Sequence, residues 1–268
     1  FLIFGWGPFP RMELQGAALA TFVGNAIGAA YGLYIVLLHR KAIDFFGMTF
    51  QSLKRAWSII GHVGLPAAGT NVVVPVATFV AVAIIGNVLG ETDVAAFTVA
   101  SRAELISVGL LYALSACIGA ITGRNGGAGK TERVREAFRV CYMICAVWGT
   151  IIALLLAVFA PQIASIFTHD QVLIDKIIPY FYIVPVTVFA YGFVFVSAAG
   201  LNALGRPLFG LAYTVIRSLF LYIGLIAIGV ATAGLVGAFV GVAIANIVSG
   251  FIAIFWTLKK APMTAKES

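Results

Sequence analysis

The chain has 268 residues, 62% of them hydrophobic and only 10% charged, and its mean hydropathy is +1.05. Those figures exclude a soluble domain, because several near-uncharged segments of about twenty residues would have to share one aqueous core. The apolar runs are continuous and not alternating in strips of about ten, which excludes a membrane-spanning barrel and leaves an all-α polytopic membrane protein.

Phe1-Leu2-Ile3-Phe4 reads as the end of a spanning helix and lacks the basic region that opens a signal peptide. Seven apolar segments follow, at about 14–38, 62–90, 94–122, 140–167, 177–203, 208–230 and 235–258. The first carries Ala20, Gly24, Gly28 and Gly32 every fourth residue, a small-residue stripe along which a second backbone can approach closely. The 39–61 connection mixes Phe45, Phe46, Phe50 and Trp57 with Lys54 and Arg55. It reads either as an amphipathic segment on the inner surface linking two bundles or as an ordinary loop.

The second segment contains Pro66 and Pro75, the fifth Pro179 and Pro185. Each proline removes an N–H and frees a carbonyl four residues back, so these positions are candidate hinges or static kinks. Polar groups within spans are costly and need partners. Arg102 and Glu104 open the third segment, as an interfacial salt-bridging pair or as groups that handle substrate or protons. Glu104 is the one carboxylate placed inside a span. Arg217 lies roughly 14 Å into the sixth segment at the helical rise, deeper than snorkelling explains, and should face the bundle interior. The amides of Asn71, Asn202 and Asn246 bridge helices or contact a substrate. Cys117, Cys141 and Cys145 lack metal-ligand spacing with histidine and read as buried small apolar residues. No cofactor, metal site or catalytic residue is expected.

With the 39–61 connection placed in the cytoplasm, most of the 17 Lys and Arg fall on the inner side: Arg40, Lys41, Lys54, Arg55, Arg124, Lys130, Arg133, Arg135, Arg139, Arg206, Lys259, Lys260 and Lys266. The net charge of +7 is therefore topology and not a nucleic-acid footprint. Gly123-Arg124-Asn125-Gly126-Gly127-Ala128-Gly129-Lys130-Thr131 superficially suggests a phosphate-binding loop, but Arg124 stands where its first Gly belongs and no strand precedes it. No metalloprotease helix or nucleophile elbow is present, so an enzyme is not expected.

The two ends of the chain echo each other. Leu14, Gly16, Ala17 and Asn25 recur as Leu235, Gly237, Ala238 and Asn246 at one constant offset, and Gly237, Gly241, Ala245 and Ser249 repeat the small-residue stripe. The expectation is one whole half of a two-fold protein plus the tail of the other half.

The segment Gly123–Gly129, followed by Arg133-Val134-Arg135-Glu136-Ala137, resembles the Gly-Gln-Asn-x-Gly-Ala-Gly … Arg-Ala-x-x-Ala loop of the multidrug and toxic compound extrusion (MATE) transporters, with Arg124 in place of Gln. Gly64-Leu65-Pro66-Ala67-Ala68, Ala100-Ser101-Arg102-Ala103-Glu104 and Gly200-Leu201-Asn202-Ala203-Leu204-Gly205-Arg206-Pro207 match in the family's order. The resemblance implies twelve helices in two six-helix lobes. Residues 1–38 would be the end of helix five plus helix six, 39–61 the cytoplasmic inter-lobe linker, 62–258 helices seven to twelve, and 259–268 a cytoplasmic tail. It also implies efflux of organic cations or amphipathic drugs by alternating access, coupled to H+ or Na+. The expected setting is a bacterial inner membrane, with an intact monomer whose remaining first-lobe helices complete it.

Residue by residue the carry-over is partial. In the branch similar to the DNA-damage-inducible transporters, the cation site joins a helix-six Thr, here Thr21, to an Asp that would precede Phe1. The Na+-coupled NorM-type pumps place an acid eight residues after the helix-seven Pro, and Val74 stands there, so Pro75 favours the former branch. Two alternatives stay open: a lipid-linked sugar flippase of the same superfamily, whose cavity Arg102 and Arg217 would line, and a truncated membrane fragment that does not transport.

Overall fold

The structure, a computed structural model, describes residues 12–39, 49–260 and 263–264, all helix and connection. The chain divides into two compact units, Phe1–Ser58 and Ile59–Ser268. In the first, α1 (Glu13–Leu33) continues through a π-helical Tyr34–His39 and carries Thr21 and the small-residue stripe. The expected helix-five end at Phe1–Phe4, and residues 40–48 of the linker, lie outside the described residues. The remainder of the 39–61 connection is not a separate surface segment. Residues 50–61 are the first turns of α2 (Phe50–Leu89), a single 40-residue helix that begins in the first unit and continues into the second.

The second unit holds α3 (Glu91–Gly127), α4 (Thr131–Val158), α5 (Ala160–Phe167), α6 (Gln171–Ile183), α7 (Val188–Ala203), α8 (Pro207–Val215) and α9 (Ile223–Phe255). A 3-10 turn, Pro185–Thr187, joins α6 to α7, and π-helical stretches Ile216–Tyr222 and Trp256–Lys260 flank α9. The described residues contain six continuous helical runs long and apolar enough to cross a membrane. The last, Pro207–Lys259, doubles back: Ala233 and Gly234 leave helical geometry, with Gly234 at φ +60°. Gly229 then faces Gly237 and Leu225 faces Gly241, pairs symmetric about Ala233, as in a tight helical hairpin. A Cβ at Gly229 or Gly237 would run into the other's carbonyl, which is what the small-residue stripe of the last segment is for.

Each break has a local cause. α3 and α7 end in the same C-cap: Lys130 N–H donates to Asn125 C=O and Gly129 N–H to Gly126 C=O, while Arg206 donates to Leu201 and Gly205 to Asn202. Gly129 and Gly205 hold φ of +69° and +71°, the left-handed turn this cap requires. The glycine-rich loop of the sequence is therefore mostly the last turns of α3, and its basic continuation 131–139 is already α4. α4 and α5 part at Phe159, two residues before Pro161, and Pro185 parts α6 from α7.

The core follows helix spacing even though nearly every position is apolar. On α4, Val134, Phe138, Cys141, Cys145, Gly149, Ile152 and Leu156 are buried, whereas Val140, Met143, Val147, Ile151, Leu154 and Val158 are exposed on the face suited to lipid. Two buried clusters result, one around Phe97, Phe181 and Phe239, the other around Leu111, Phe138 and Leu201. Cys141 and Cys145 are buried as expected, but Cys117 is exposed. Trp148 donates its indole N–H to the Ser107 carbonyl at 2.9 Å, joining α4 to α3.

Replacing Gly237 with Ala should destabilise the intact protein by about 1–3 kcal/mol through overpacking at the hairpin. Gly127→Ala, where a Cβ meets nothing within 4 Å, should leave thermal unfolding in detergent nearly unchanged.

Candidate functional site

The polar groups of the second unit converge on Arg217. This side chain is 5% exposed and sits in the π-helical stretch, whose wider turn also directs Ser218 and Tyr222 to the same interior space. A guanidinium at this depth must be held by dipoles or charge. Asn246 of α9, fully buried, supplies them: its Oδ1 accepts from Arg217 Nε at 3.2 Å and from Nη2 at 2.7 Å. Because arginine only donates, the amide orientation is fixed, and Asn246 Nδ2 points the other way. It donates to Thr187 Oγ1 at 3.1 Å, and Thr187 donates onward to the Val184 carbonyl at 2.8 Å. The network thus runs from the π-helix, through the second arm of the α9 hairpin, to the break made by Pro185.

One guanidinium face lies on Tyr191 of α7, 3.5 Å from Cζ to ring centroid, and Tyr222 stands 5.7 Å away. Phe195 packs on Tyr191 at 4.7 Å and meets Tyr112 of α3 edge-on at 4.9 Å, so an aromatic wall extends from the cation. Among the described residues no carboxylate lies within ion-pair distance of Arg217.

Two adjoining cavities of about 230 Å³ each open on this group. They share Val74, Tyr112, Tyr191, Arg217 and Ser218. One extends to Ser101, Glu104 and Tyr222; its charged lining residues are Glu104 and Arg217. The other extends to Thr70, Asn71, Pro75, Phe195 and Thr214, and Arg217 is its one charged lining residue. Glu104 is partly buried and accepts from the Tyr180 hydroxyl at 2.9 Å. Tyr180 is locked in turn by edge contacts to Phe181 and Phe239.

The candidates named from sequence distribute unevenly. Arg217 and Asn246 are bonded to each other, and Glu104 and Asn71 line the cavities. Asn71 donates to the Ala67 carbonyl at 3.0 Å, and Pro75 leaves the Asn71 carbonyl without its helical donor. Arg102 is exposed, lines neither cavity and has no ion-pair partner among the described residues; two positions from Glu104 on a helix, it points elsewhere. Asn202 lies at the α7 C-terminus beside Gly210, its Oδ1 buried and without a hydrogen bond. Thr21, in the first unit, donates to the Ala17 carbonyl at 3.0 Å. Pro66 and Pro75 lie inside α2 and Pro179 inside α6, while Pro185 begins the 3-10 turn. Sequence reasoning passed over Thr187, Ser218, Tyr191, Tyr112 and Phe195. An aromatic every fourth residue, Tyr191 and Phe195, was the available signal on α7, hidden among other aromatics.

The family model MatE matches residues 66–228, from the first α2 proline to near the end of the hairpin's first arm. This chain belongs to the MatE family. It is 30% identical to the FAD transporter of Shewanella oneidensis over 93% of this chain and 55% of that protein. To the probable multidrug resistance protein NorM of Thermotoga maritima it is 26% identical over 65% of this chain and 37% of that protein. The chain therefore spans about half, or less, of these curated relatives. In fold it matches a crystal structure of the Vibrio cholerae MATE transporter VcmN with a TM-score of 0.86 at 23% identity, covering 96% of this chain and 57% of that one. An outward-facing multidrug resistance MATE family transporter gives 0.86 at 25% identity, covering 97% and 59%. The MatE chain is thus a multi-pass membrane protein with a MATE transporter fold.

The Arg217–Asn246 bond is testable by a double-mutant cycle on thermal unfolding of the intact protein. Asn246→Ala alone should cost about 3–5 kcal/mol by stranding a buried charge, and much less when Arg217 is already Met.

Proposed function

We propose that the whole protein is a secondary active transporter that exports organic amphipathic compounds by alternating access, coupled to an H+ or Na+ gradient. The observation that carries this reading is the aromatic-walled pair of cavities inside the helix bundle, with Glu104 and Arg217 as its charged groups. Such a lining binds a solute with one polar end and one apolar end, and it leaves a carboxylate available for a coupling ion. Glu104, held by Tyr180, takes that coupling role in this half, and Thr21 with an acidic partner serves the other. The protein would sit in a bacterial cytoplasmic membrane with the basic loop ends and C-terminus inside.

Transport needs two states with different affinities for ion and solute. The hydrogen-bonded line from Arg217 to Thr187 ends at the Pro185 break, so a ligand that moves the guanidinium also pulls on the joint between α6 and α7. A second reading is export of a flavin nucleotide. The Shewanella oneidensis FAD transporter, similar over nearly all of this chain, favours it. The flippase alternative asks for both Arg102 and Arg217 in the cavity; only Arg217 is there, and that reading is weakened accordingly.

Expression of the intact protein in an efflux-deficient bacterial host should lower accumulation of fluorescent amphipathic dyes at least several-fold, and unchanged accumulation would contradict the proposal. Glu104→Gln should flatten the pH dependence of efflux in everted vesicles. Efflux that remains pH-coupled would reduce Glu104 to a structural partner of Tyr180.

A further inference from the structure

We infer that the chamber lined by Asn71, Tyr191, Phe195, Arg217 and Ser218 is a binding site for an organic anion that carries a planar ring. The inference rests on the reading of this chain as half of a transporter and names the class of solute that reading leaves open. Three observations carry it.

The first is the donor inventory of Arg217. A guanidinium has five N–H donors. Two are used, and both go to the single oxygen Asn246 Oδ1. The others have no partner among the described residues. Asn246 is neutral, so it fixes the guanidinium without cancelling its charge. A buried arginine with a tethered edge, a free edge and, among the described residues, no carboxylate within ion-pair distance is preorganised for a carboxylate or phosphate, which would accept two parallel N–H bonds.

The second is Ser218. Many hydroxyls in these spans bond back to their own helix: Thr70 to Pro66, Thr78 to Val74, Ser101 to Phe97, Thr214 to Gly210 and Ser249 to Ala245. Ser107 and Ser218 do not, and of these two only Ser218 lines the cavities. Its side-chain oxygen is buried without any partner, at 1% exposure, on the wall of both cavities and next in sequence to Arg217. An unmet hydroxyl inside a membrane bundle costs free energy unless a ligand or water meets it, and a free O–H beside a cation adds a further donor for an anion.

The third is the lining itself. The chamber has no carboxylate; Glu104 belongs to its neighbour. Tyr112 and Phe195 continue the aromatic wall from Tyr191, which itself lies against the guanidinium. A planar ring stacks on such a wall while its acidic substituent reaches Arg217 and Ser218. About 230 Å³ holds the anionic end and part of a ring system, with the adjoining cavity available to the rest.

The test uses the intact transporter in detergent, and a matched pair of fluorescent probes: riboflavin 5′-phosphate, and riboflavin, which has the same ring and no phosphate. The phosphate ester should bind at least tenfold more tightly. Arg217→Gln should abolish that preference. Ser218→Ala, which leaves the guanidinium in place, should weaken the phosphate ester three- to tenfold, so the test survives if the Arg217 variant fails to fold. Equal binding of the two probes, or a preference that persists in Ser218→Ala and Arg217→Gln alike, would overturn the inference. Displacement of the phosphate ester by equimolar phosphatidylglycerol would overturn the ring-bearing solute in favour of a lipid headgroup. Dye efflux in cells separates this from the broader proposal: export without anion preference sinks only the anion site, whereas anion binding without any export sinks the transport reading.

Discussion

A guanidinium buried in a helix bundle that faces lipid is the constraint around which the second unit is organised. Removing such a charge from water costs several kcal/mol, and among the described residues no carboxylate in ion-pair contact offsets it. The protein uses a dipole with only one possible orientation, the Asn246 amide, and the face of a tyrosine. Each device makes a demand on the fold. Asn246 must reach across from α9, which requires the hairpin at Ala233–Gly234 to close tightly enough for Gly229 and Gly237 to touch. Arg217 and Ser218 must both face inward although adjacent in sequence, and the wider π-helical turn accommodates that. Thr187 must present an acceptor to Asn246, and it does so from the one place where α6 and α7 are not continuous.

The rest of the bundle is generic by comparison. Its core is aliphatic and aromatic, its lipid face equally apolar, and its helix ends are closed by repeated left-handed caps at Gly129 and Gly205. Packing of that kind gives a rigid frame but no directional link between helices. The directional links among the described residues are few: Lys176 to Asp93, Tyr180 to Glu104, Tyr142 to Ser197 at 2.7 Å, Trp148 to Ser107, Thr122 to the Gly200 carbonyl, Tyr213 with Thr257, and the chain from Arg217 through Asn246 to Thr187. Of these, only the last joins a cavity wall to a proline break. Force on the guanidinium at the cavity therefore has a short, bonded route to the joint between α6 and α7.

The class of fold was legible because lipid imposes it: long uncharged runs read directly as spans, and Pro185 as a break. Arg217 and Asn246 stood out for the same reason, since polar atoms in those runs are expensive. Their mutual bond was not legible, because nothing in residue spacing places one helix against another. Ser218 was invisible: a serine in a span ordinarily satisfies itself on its own helix, and only the structure reveals that Ser218, like Ser107, does not. Arg102, read from sequence as opening its segment, is exposed and lines neither cavity, whereas Arg217, read as deep in its own, is buried. Residues 50–61 carry mixed aromatic and basic side chains that suit a surface segment or a loop, yet α2 includes them and passes through Gly61 without a break.

The central claim is that Arg217 is held by Asn246 and makes no ion pair among the described residues. A high-resolution structure of the intact protein with no solute added tests it most directly. The account predicts the Asn246 fork intact, no carboxylate within 4 Å of the guanidinium, and only water on its free edge. An Asp or Glu paired with Arg217 would contradict it.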